Sequence, residues 1–266
     1  MEPEINKNGR GWLIVLKVVA VLFTVFVIYY AIMSVLAPGR QVSLINEQYG
    51  IKTPESDGKV TDYSQDSAFV MLNRERAWRK ARIAMAETDS ISLAIDLSDS
   101  TAVIEISGVA LRTSRISSYK LSSVFRKADQ PAVCSMLSGP FSISGNISTI
   151  VKEPLVHKIA PKDTSEYKPD MVPDTAKIDA VNYMLEMENG YRFYFYQDGR
   201  KDGKTDFSGT IFDLKRRLRD ASDILGSIIR FRVPEYHPYI RITLPQVDAR
   251  MIYRALPEKG QIALKL

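Results

Sequence analysis

The segment from residue 11 to residue 37 constrains this chain more than any other feature of its sequence. It is almost wholly apolar, and Lys17 is its only charged residue. A helix needs about 20 consecutive apolar residues to cross the hydrocarbon core of a bilayer, and residues 18–37 supply that length. The sequence therefore predicts one membrane-spanning helix close to the N-terminus.

The basic residues around this segment predict its orientation. Three of them precede or enter the apolar stretch, whereas only Arg40 and then Lys52 follow it. Because cytoplasmic flanks carry an excess of Lys and Arg, residues 1–10 are expected in the cytoplasm and the rest of the chain outside. A cleaved signal peptide is the alternative. The apolar stretch exceeds the roughly 7–15 residues of a signal core, which favours an uncleaved anchor.

Beyond the anchor, the composition is that of a folded domain without metal or disulfide chemistry. Of the 266 residues, 45% are hydrophobic and 25% are charged, an ordinary globular balance. Residues 38–65 are polar and interrupted by Gly and Pro, which predicts a linker, and residues 66–266 form the domain. The net charge of +5 is too small to indicate nucleic-acid binding. One cysteine and two histidines predict neither an internal disulfide nor a metal site, and no cofactor motif is present.

Alternating and β-branched segments predict a mainly β domain with a few helices. Two hairpins are expected, one over residues 91–106 and one over residues 181–196, where Asn189-Gly190 is a strong turn signal. The remaining predicted strands are 109–116, 140–151 with a turn at Gly145-Asn146, 228–233, 239–244 and 262–266. The predicted helices are 66–87, one within 119–130, 211–225 capped by Gly226, and one beginning at Pro245.

The predicted helix at residues 211–225 has an apolar face. Ile211, Leu214, Leu218 and Ala221 recur at helical spacing, and three arginines (216, 217 and 219) fall elsewhere on the helix. An apolar stripe of this kind normally packs on the core. The expectation is that these four side chains face the domain and that the arginines lie outside.

The last thirty residues carry a pattern that bears on function. The run Tyr236-His237-Pro238-Tyr239-Ile240-Arg241-Ile242 is followed by an acidic segment at Asp248-Ala249 and a closing apolar segment at residues 260–264. This pattern resembles the end of the L,D-transpeptidase catalytic domain, the penicillin-insensitive cross-linking enzyme of bacterial walls. The signature of that family is Ser-His-Gly-Cys-Ile-Arg, then a short acidic helix, then a closing strand.

His237, Ile240 and Arg241 fall into register with this signature, and the hairpin at residues 91–106 matches the one that opens the family's domain. The resemblance covers about residues 90–266. It implies a β barrel or sandwich of the L,D-transpeptidase type, preceded by the N-terminal transmembrane helix. It also implies a bacterial cell-envelope protein in the cytoplasmic (inner) membrane, whose domain lies in the periplasm.

The same alignment indicates that the catalytic site is degenerate. Tyr239 occupies the position of the nucleophilic cysteine, and a phenol with a pKa of about 10 is a poor nucleophile toward an amide. Pro238 replaces a glycine near the oxyanion site and offers no N–H. The family's other histidine, farther upstream, has no counterpart. The resemblance therefore implies a pseudoenzyme with no catalytic residues.

Two residues of the degenerate site remain candidates for ligand binding. Arg241 helps to position substrate in the family, although here it could instead pair with Asp248 or Glu235. His237 could be a remnant of the site or a structural histidine. Cys134 is the candidate for a relocated nucleophile, but its apolar surroundings in the sequence favour a buried, inert thiol.

The function expected is therefore that of a membrane-anchored, non-catalytic protein that binds wall peptide (peptidoglycan) or envelope partner proteins. One alternative is an active cysteine-dependent transpeptidase or hydrolase that uses Cys134. The other is a structural subunit of an envelope membrane complex. No nucleic-acid partner and no cofactor are expected.

Overall fold

The computed structural model of this chain describes residues 8–50, 67–152, 180–198, 207–230 and 232–266. Within these ranges there are six helices and nine strands. The helices are α1 (Asn8–Tyr49), α2 (Ser67–Ala86), α3 (Val124–Lys127), α4 (Gln130–Leu137), α5 (Phe207–Ile229) and α6 (Gln246–Ala255). The strands are β1 (Ile91–Asp96), β2 (Thr101–Ile106), β3 (Val109–Arg115), β4 (Ser118–Leu121), β5 (Phe141–Ser148), β6 (Asn182–Met187), β7 (Arg192–Gln197), β8 (Tyr239–Leu244) and β9 (Gln261–Lys265).

The described strands form one mixed sheet in the order β3-β2-β1-β9-β5-β6-β7-β8-β4. The pairs β1–β9 and β7–β8 are parallel, and the other neighbours are antiparallel. The expectation of a mainly β domain needs correction, because more of the described residues lie in helices than in strands. The excess comes largely from α1 and α5, which have 42 and 23 residues and are longer than their sequence patterns predict.

The sheet has a core on one face and two helices on the other. The main core is formed by large side chains of β6–β8, such as Phe193, Phe195 and Ile240, together with residues of α3, α4, α6 and the end of α1. On the opposite face, α2 covers β1 and β9 through a cluster around Trp78. A further cluster on that face joins Phe212 of α5 to β6 and β7.

Strand β8 shows how the sequence separates these two faces. Its residues alternate between buried and half-buried, and Ile240, Ile242 and Leu244 are fully buried in the main core. The intervening Tyr239 and Arg241 therefore project from the face that carries α5, because successive side chains of a strand point to opposite sides.

Several predicted elements agree with the structure. Strands β1 and β2 form the first hairpin, and β6 and β7 form the second around Gly190, whose φ of 78° suits glycine. Strand β8 has the predicted bounds, and α6 follows Pro245 with Asp248 in its first turn.

The helix predicted within residues 119–130 is confirmed as α3, although residues 119–121 belong to β4 and α4 follows as a separate helix. Three other local predictions are wrong. Residues 145–146 form no turn, because β5 continues through Gly145 with an irregularity in its pairing to β6. Gly226 does not cap α5, because the helix continues to Ile229. The predicted strand at 228–233 is also absent among the described residues of that range.

The predicted linker at residues 38–65 also needs correction at its beginning. Helix α1 passes through Pro38 and ends at Tyr49, and Ile45 is buried in the main core. The carboxamide oxygen of Asn46 accepts a hydrogen bond from the backbone N–H of Asp129 at 3.0 Å. Residues 38–49 are therefore helical, and the end of α1 packs on the domain. Residues 51–65 of the predicted linker lie outside the described ranges.

Among the described residues, α1 is the one helix that contains a segment long and apolar enough to cross a membrane. Its large apolar side chains are exposed, among them Leu22, Phe23 and Ile32. This pattern is compatible with a single membrane span.

Candidate functional site

Helix α5 contacts the sheet through the face opposite to the one that its sequence predicts. Phe212 is buried and Arg216 is half-buried, whereas Ile211, Leu214 and Leu218 are exposed. The prediction that the apolar side chains face the domain and Arg216 lies outside is therefore wrong. The reason lies in β7, whose outer face presents an arginine and two tyrosine hydroxyls that need polar partners.

Alternation along β7 places Arg192, Tyr194 and Tyr196 on this outer face. The guanidinium of Arg192 donates to Glu186 at 3.0 Å and to Asp220 of α5 at 2.7 Å. Its side chain is only 6% exposed, whereas Glu186 and Asp220 are 25% and 29% exposed, so both bonds are partly buried. Burial alone would lower the pKa of Arg192, but Tyr194 and the two carboxylates outweigh it and raise the pKa. The arginine therefore stays charged and fastens α5 to the sheet.

Arg216 and Asp213 continue this network along α5. The Arg216 guanidinium lies 3.4 Å from Asp220 and 3.6 Å from Asp213, and it stacks 5.1 Å from the centre of the Tyr194 ring. Tyr196 donates its hydroxyl proton to Asp213 at 2.7 Å. Burial, and next the bond to Asp213, raise the pKa of Tyr196, so this phenol is neutral at physiological pH.

A cavity of about 290 Å³ remains between α5 and the sheet, and we call it the α5 cavity. Its walls include four residues of the network and four residues at or just before the start of β8: Arg192, Tyr194, Arg216 and Asp220, and Glu235, Tyr236, His237 and Tyr239. Two of the residues that the sequence selects, His237 and Tyr239, are therefore brought together at this cavity.

Tyr239 is half-buried and lines the α5 cavity. It pairs with Arg192 across the parallel strands β7 and β8. Its ring lies edge-on to Tyr194, with 6.2 Å between the ring centres. The side chain thus lines the cavity beside two cationic groups and another phenol.

His237 supports the turn between β6 and β7. Its Nδ1 lies 3.0 Å from the backbone carbonyl oxygen of Gly190. Because a carbonyl oxygen only accepts, Nδ1 is the donor in this contact. The imidazole therefore has a structural bond at one nitrogen and lines the cavity as well.

Arg241 is not among the residues that line the α5 cavity. Its guanidinium stacks on the ring of Tyr196, 5.1 Å from the ring centre. Asp248, one partner expected from the sequence, forms its ion pair with Arg112 at 3.0 Å instead. Arg241 therefore lies apart from the α5 cavity, which His237 and Tyr239 both line.

Cys134 lies on α4 and is buried. Phe69 and Val70 of α2 lie beside it, together with Gln130 and Pro131 of its own helix. Burial raises the pKa of the Cys134 thiol, which disfavours the reactive thiolate. Cys134 is not among the residues that line the α5 cavity.

Sequence reasoning missed Arg192, Arg216 and Asp220. A usable signal was present, because an arginine in the aromatic strand of residues 191–196 shares one face with Tyr194 and Tyr196. Asp213, Arg216 and Asp220 are also spaced three and four residues apart, as ion pairs on one helix face are.

Among the residues that the structure describes, no group of three His, Cys, Asp or Glu side chains is placed to hold a metal ion. The chain matches no family model, no curated protein and no solved structure.

Proposed function

We propose that this chain is a membrane-anchored, non-catalytic envelope protein whose L,D-transpeptidase-like domain binds wall peptide in the α5 cavity. The observation that carries the proposal is the position of Tyr239. It occupies the place of the family's nucleophile, and it lines a cavity that α5 covers. On this proposal, the α5 cavity corresponds to the family's substrate site without its reactive cysteine.

The chemistry around Tyr239 supports a role without catalysis. Tyr239 offers a phenol at the position where the family's reaction uses a cysteine thiolate, the nucleophilic form of that residue. Pro238 has no N–H to donate to an oxyanion, and its carbonyl oxygen accepts from the backbone N–H of Arg192 at 3.0 Å. The Nδ1 of His237 is engaged with Gly190. This arrangement supplies neither an activated nucleophile nor an evident oxyanion hole.

The lining of the cavity supports recognition of a short peptide that carries both charges. Arg192 and Arg216 contribute cationic groups, Asp220 and Glu235 contribute carboxylates, and Tyr239 contributes an amphipathic ring. Wall stem peptides carry carboxylate and ammonium groups within a few residues. A volume of about 290 Å³ is close to the lower limit for ligand pockets, about 300 Å³. The cavity therefore suits the end of a stem peptide better than a whole strand.

The apolar part of α1 supports the anchor. We place its N-terminus in the cytoplasm, because the basic residues cluster on that side, and the domain on the periplasmic side of the inner membrane. Wall peptide is found in that compartment, so location and ligand agree.

Binding to the purified full chain, in detergent, tests the proposal. The probe is a wall tetrapeptide, and its binding is measured by calorimetry. We expect saturable binding that Tyr239→Ala and Glu235→Ala each weaken about tenfold, the effect of losing roughly 1.4 kcal/mol. Tyr119→Ala is the matched control, because Tyr119 is an exposed tyrosine on β4. Equal affinity in all four proteins would contradict a site in the α5 cavity.

Turnover distinguishes this proposal from an enzyme that uses Cys134. The full chain should neither cross-link nor trim muropeptides, and a thiol-directed carbapenem probe should leave Cys134 unlabelled. Labelling at Cys134 together with turnover that Cys134→Ala abolishes would establish the relocated nucleophile. Turnover that persists in Cys134→Ala would show catalysis by another group, and a non-catalytic role would then be wrong.

A further inference from the structure

The outer face of α5 carries an exposed apolar stripe. Ile211, Leu214, Leu218 and Leu225 are 41%, 56%, 62% and 42% exposed. Their spacing of three, four and seven residues keeps them on one side of the helix, over a length of about 21 Å at 1.5 Å per residue. We call these four residues the α5 stripe. So many large apolar side chains in a row on a surface indicate that something covers them.

The charged side chains of α5 that the structure describes lie on both sides of the helix. Asp213 and Asp220 are turned toward the sheet, where they pair with Arg216, Arg192 and Tyr196. Arg217 is exposed next to the α5 stripe, and Arg219 is 49% exposed while its guanidinium lies 3.6 Å from the carboxylate of Glu186 on β6. The outer surface therefore combines leucine and isoleucine with arginine. An apolar face with flanking cationic side chains is the form of a helix that lies in the interface of an anionic bilayer.

The position of α5 in the fold brings one of its ends to the side where α1 is attached. Asp213 bonds Tyr196 at the end of β7, and Asp220 bonds Arg192 at its start, so α5 runs antiparallel to β7. Tyr191, next to that start, contacts the sulfur of Met136 on α4 through its hydroxyl.

Helix α1 packs on this same α4, since the Ile45 side chain is buried in the core that contains Met136. The proximity of Tyr49, at the end of α1, also contributes to the raised pKa of Tyr191, after the larger effect of burial. The C-terminal half of α5 and the attachment of the anchor are therefore at one end of the sheet.

We propose that the α5 stripe, with Arg217 and Arg219, binds the surface of an anionic lipid bilayer, the same bilayer that α1 spans. This proposal rests on the membrane anchor of the proposed function. A second copy of the chain is the less favoured occupant. Its own Arg217 and Arg219 would meet these arginines across the seam, where paired helices place opposite charges.

Fluorescence of a label on the α5 stripe tests this contact in the full chain. Leu218→Cys in a Cys134→Ala background carries an environment-sensitive dye, and the protein is reconstituted in nanodiscs that contain nitroxide-labelled lipid. In phosphatidylglycerol-rich discs we expect a blue shift and several-fold quenching. In purely zwitterionic discs, or after Arg217→Glu and Arg219→Glu, the quenching should fall several-fold. A label at Leu111→Cys, on an exposed position of β3, is the matched control and should stay unquenched.

Each other outcome has a defined meaning. A chain that fails to enter nanodiscs would overturn both the anchor and the bilayer contact. A chain that enters, but whose label at position 218 stays unquenched in anionic discs, would overturn the contact and leave the anchor standing. A blue shift that depends on the number of protein copies per disc, and not on the lipid charge, would show that a second copy covers the α5 stripe. That result would overturn the proposal.

Discussion

Arg192 on β7 and Asp220 on α5 are joined by an ion pair, with 2.7 Å between Nη1 and Oδ1. Arg192 is almost fully buried and also pairs with Glu186, so it anchors the helix to the sheet through charge as well as shape. Removing only one partner of a partly buried ion pair is costly in free energy, because the remaining charge loses its partner. The covering of the α5 cavity therefore depends on these few polar contacts.

Asp220→Ala is expected to loosen α5 from the sheet. Removal of one carboxylate leaves Arg192 with Glu186 alone, and the loss of a hydrogen bond to a buried charged group costs about 1–3 kcal/mol. The free energy of unfolding should fall by that amount, and amide hydrogen exchange within residues 210–227 should accelerate. Arg79→Ala is the control, because its pair with Glu75 on α2 is exposed and worth less than about 1 kcal/mol. Equal effects of the two variants would contradict an anchoring role for Asp220.

Substitution of Phe212 should lower the free energy of unfolding more than substitution of Leu218, although the sequence predicts that Leu218 faces the domain. Phe212→Ala removes a ring that packs against Met184 and Tyr194 and should destabilise the domain by about 3 kcal/mol. Leu218→Ser changes an exposed side chain and should alter stability by less than about 0.5 kcal/mol. Urea unfolding of the full chain in detergent measures both. A larger loss for Leu218→Ser would mean that α5 packs through its apolar side.

The orientation of α5 shows where sequence reasoning stops. Periodicity identified the helix and its apolar stripe, and the hairpins followed from alternation and the Asn189-Gly190 turn. Which side of the helix meets the sheet depends on what the sheet presents, and that becomes visible only when Arg192 and Tyr196 are placed on one face. The same holds for the site. His237 and Tyr239 could be selected from the sequence. That Arg241 does not line the α5 cavity could be known only once the pairing of β7 with β8 was known.

Tyr183 and Tyr196 should differ in what their hydroxyl groups contribute to stability. Tyr183 is fully buried, and among the described residues its hydroxyl has no hydrogen-bond partner. Tyr183→Phe should therefore raise the free energy of unfolding by about 1 kcal/mol, since an unpaired buried hydroxyl is costly. Tyr196→Phe removes the bond to Asp213 and should lower it by about the same amount. Chemical denaturation of this matched pair is the measurement, and a loss in both variants would indicate a partner for Tyr183.

The domain should lose stability at alkaline pH. Burial raises the pKa of Tyr183 well above its ordinary value, and burial is also the largest cause of the raised pKa of Tyr191, Tyr194 and Tyr196. A group whose folded pKa is raised stabilises the fold fully below its unfolded pKa, about 10 for tyrosine, and loses that contribution as pH rises toward the folded pKa. Phenolate absorbance should therefore increase above this pH together with the loss of near-ultraviolet circular dichroism. Ionisation of all tyrosines with the fold intact would contradict the prediction.

The end of α1 should contribute to the stability of the domain, although its sequence suggests a linker. Ile45 is 3% exposed and lies in the main core, whereas the adjacent Leu44 is 44% exposed. Ile45→Ala should cost about 2–4 kcal/mol, because it removes buried methyl groups and leaves a cavity. Leu44→Ala, the same kind of change one residue away, should cost less than about 1 kcal/mol. Thermal and urea unfolding of both variants in detergent measure the difference. If neither variant changed the unfolding transition, α1 would act as a tether only, and its packing on α4 would add nothing to the fold.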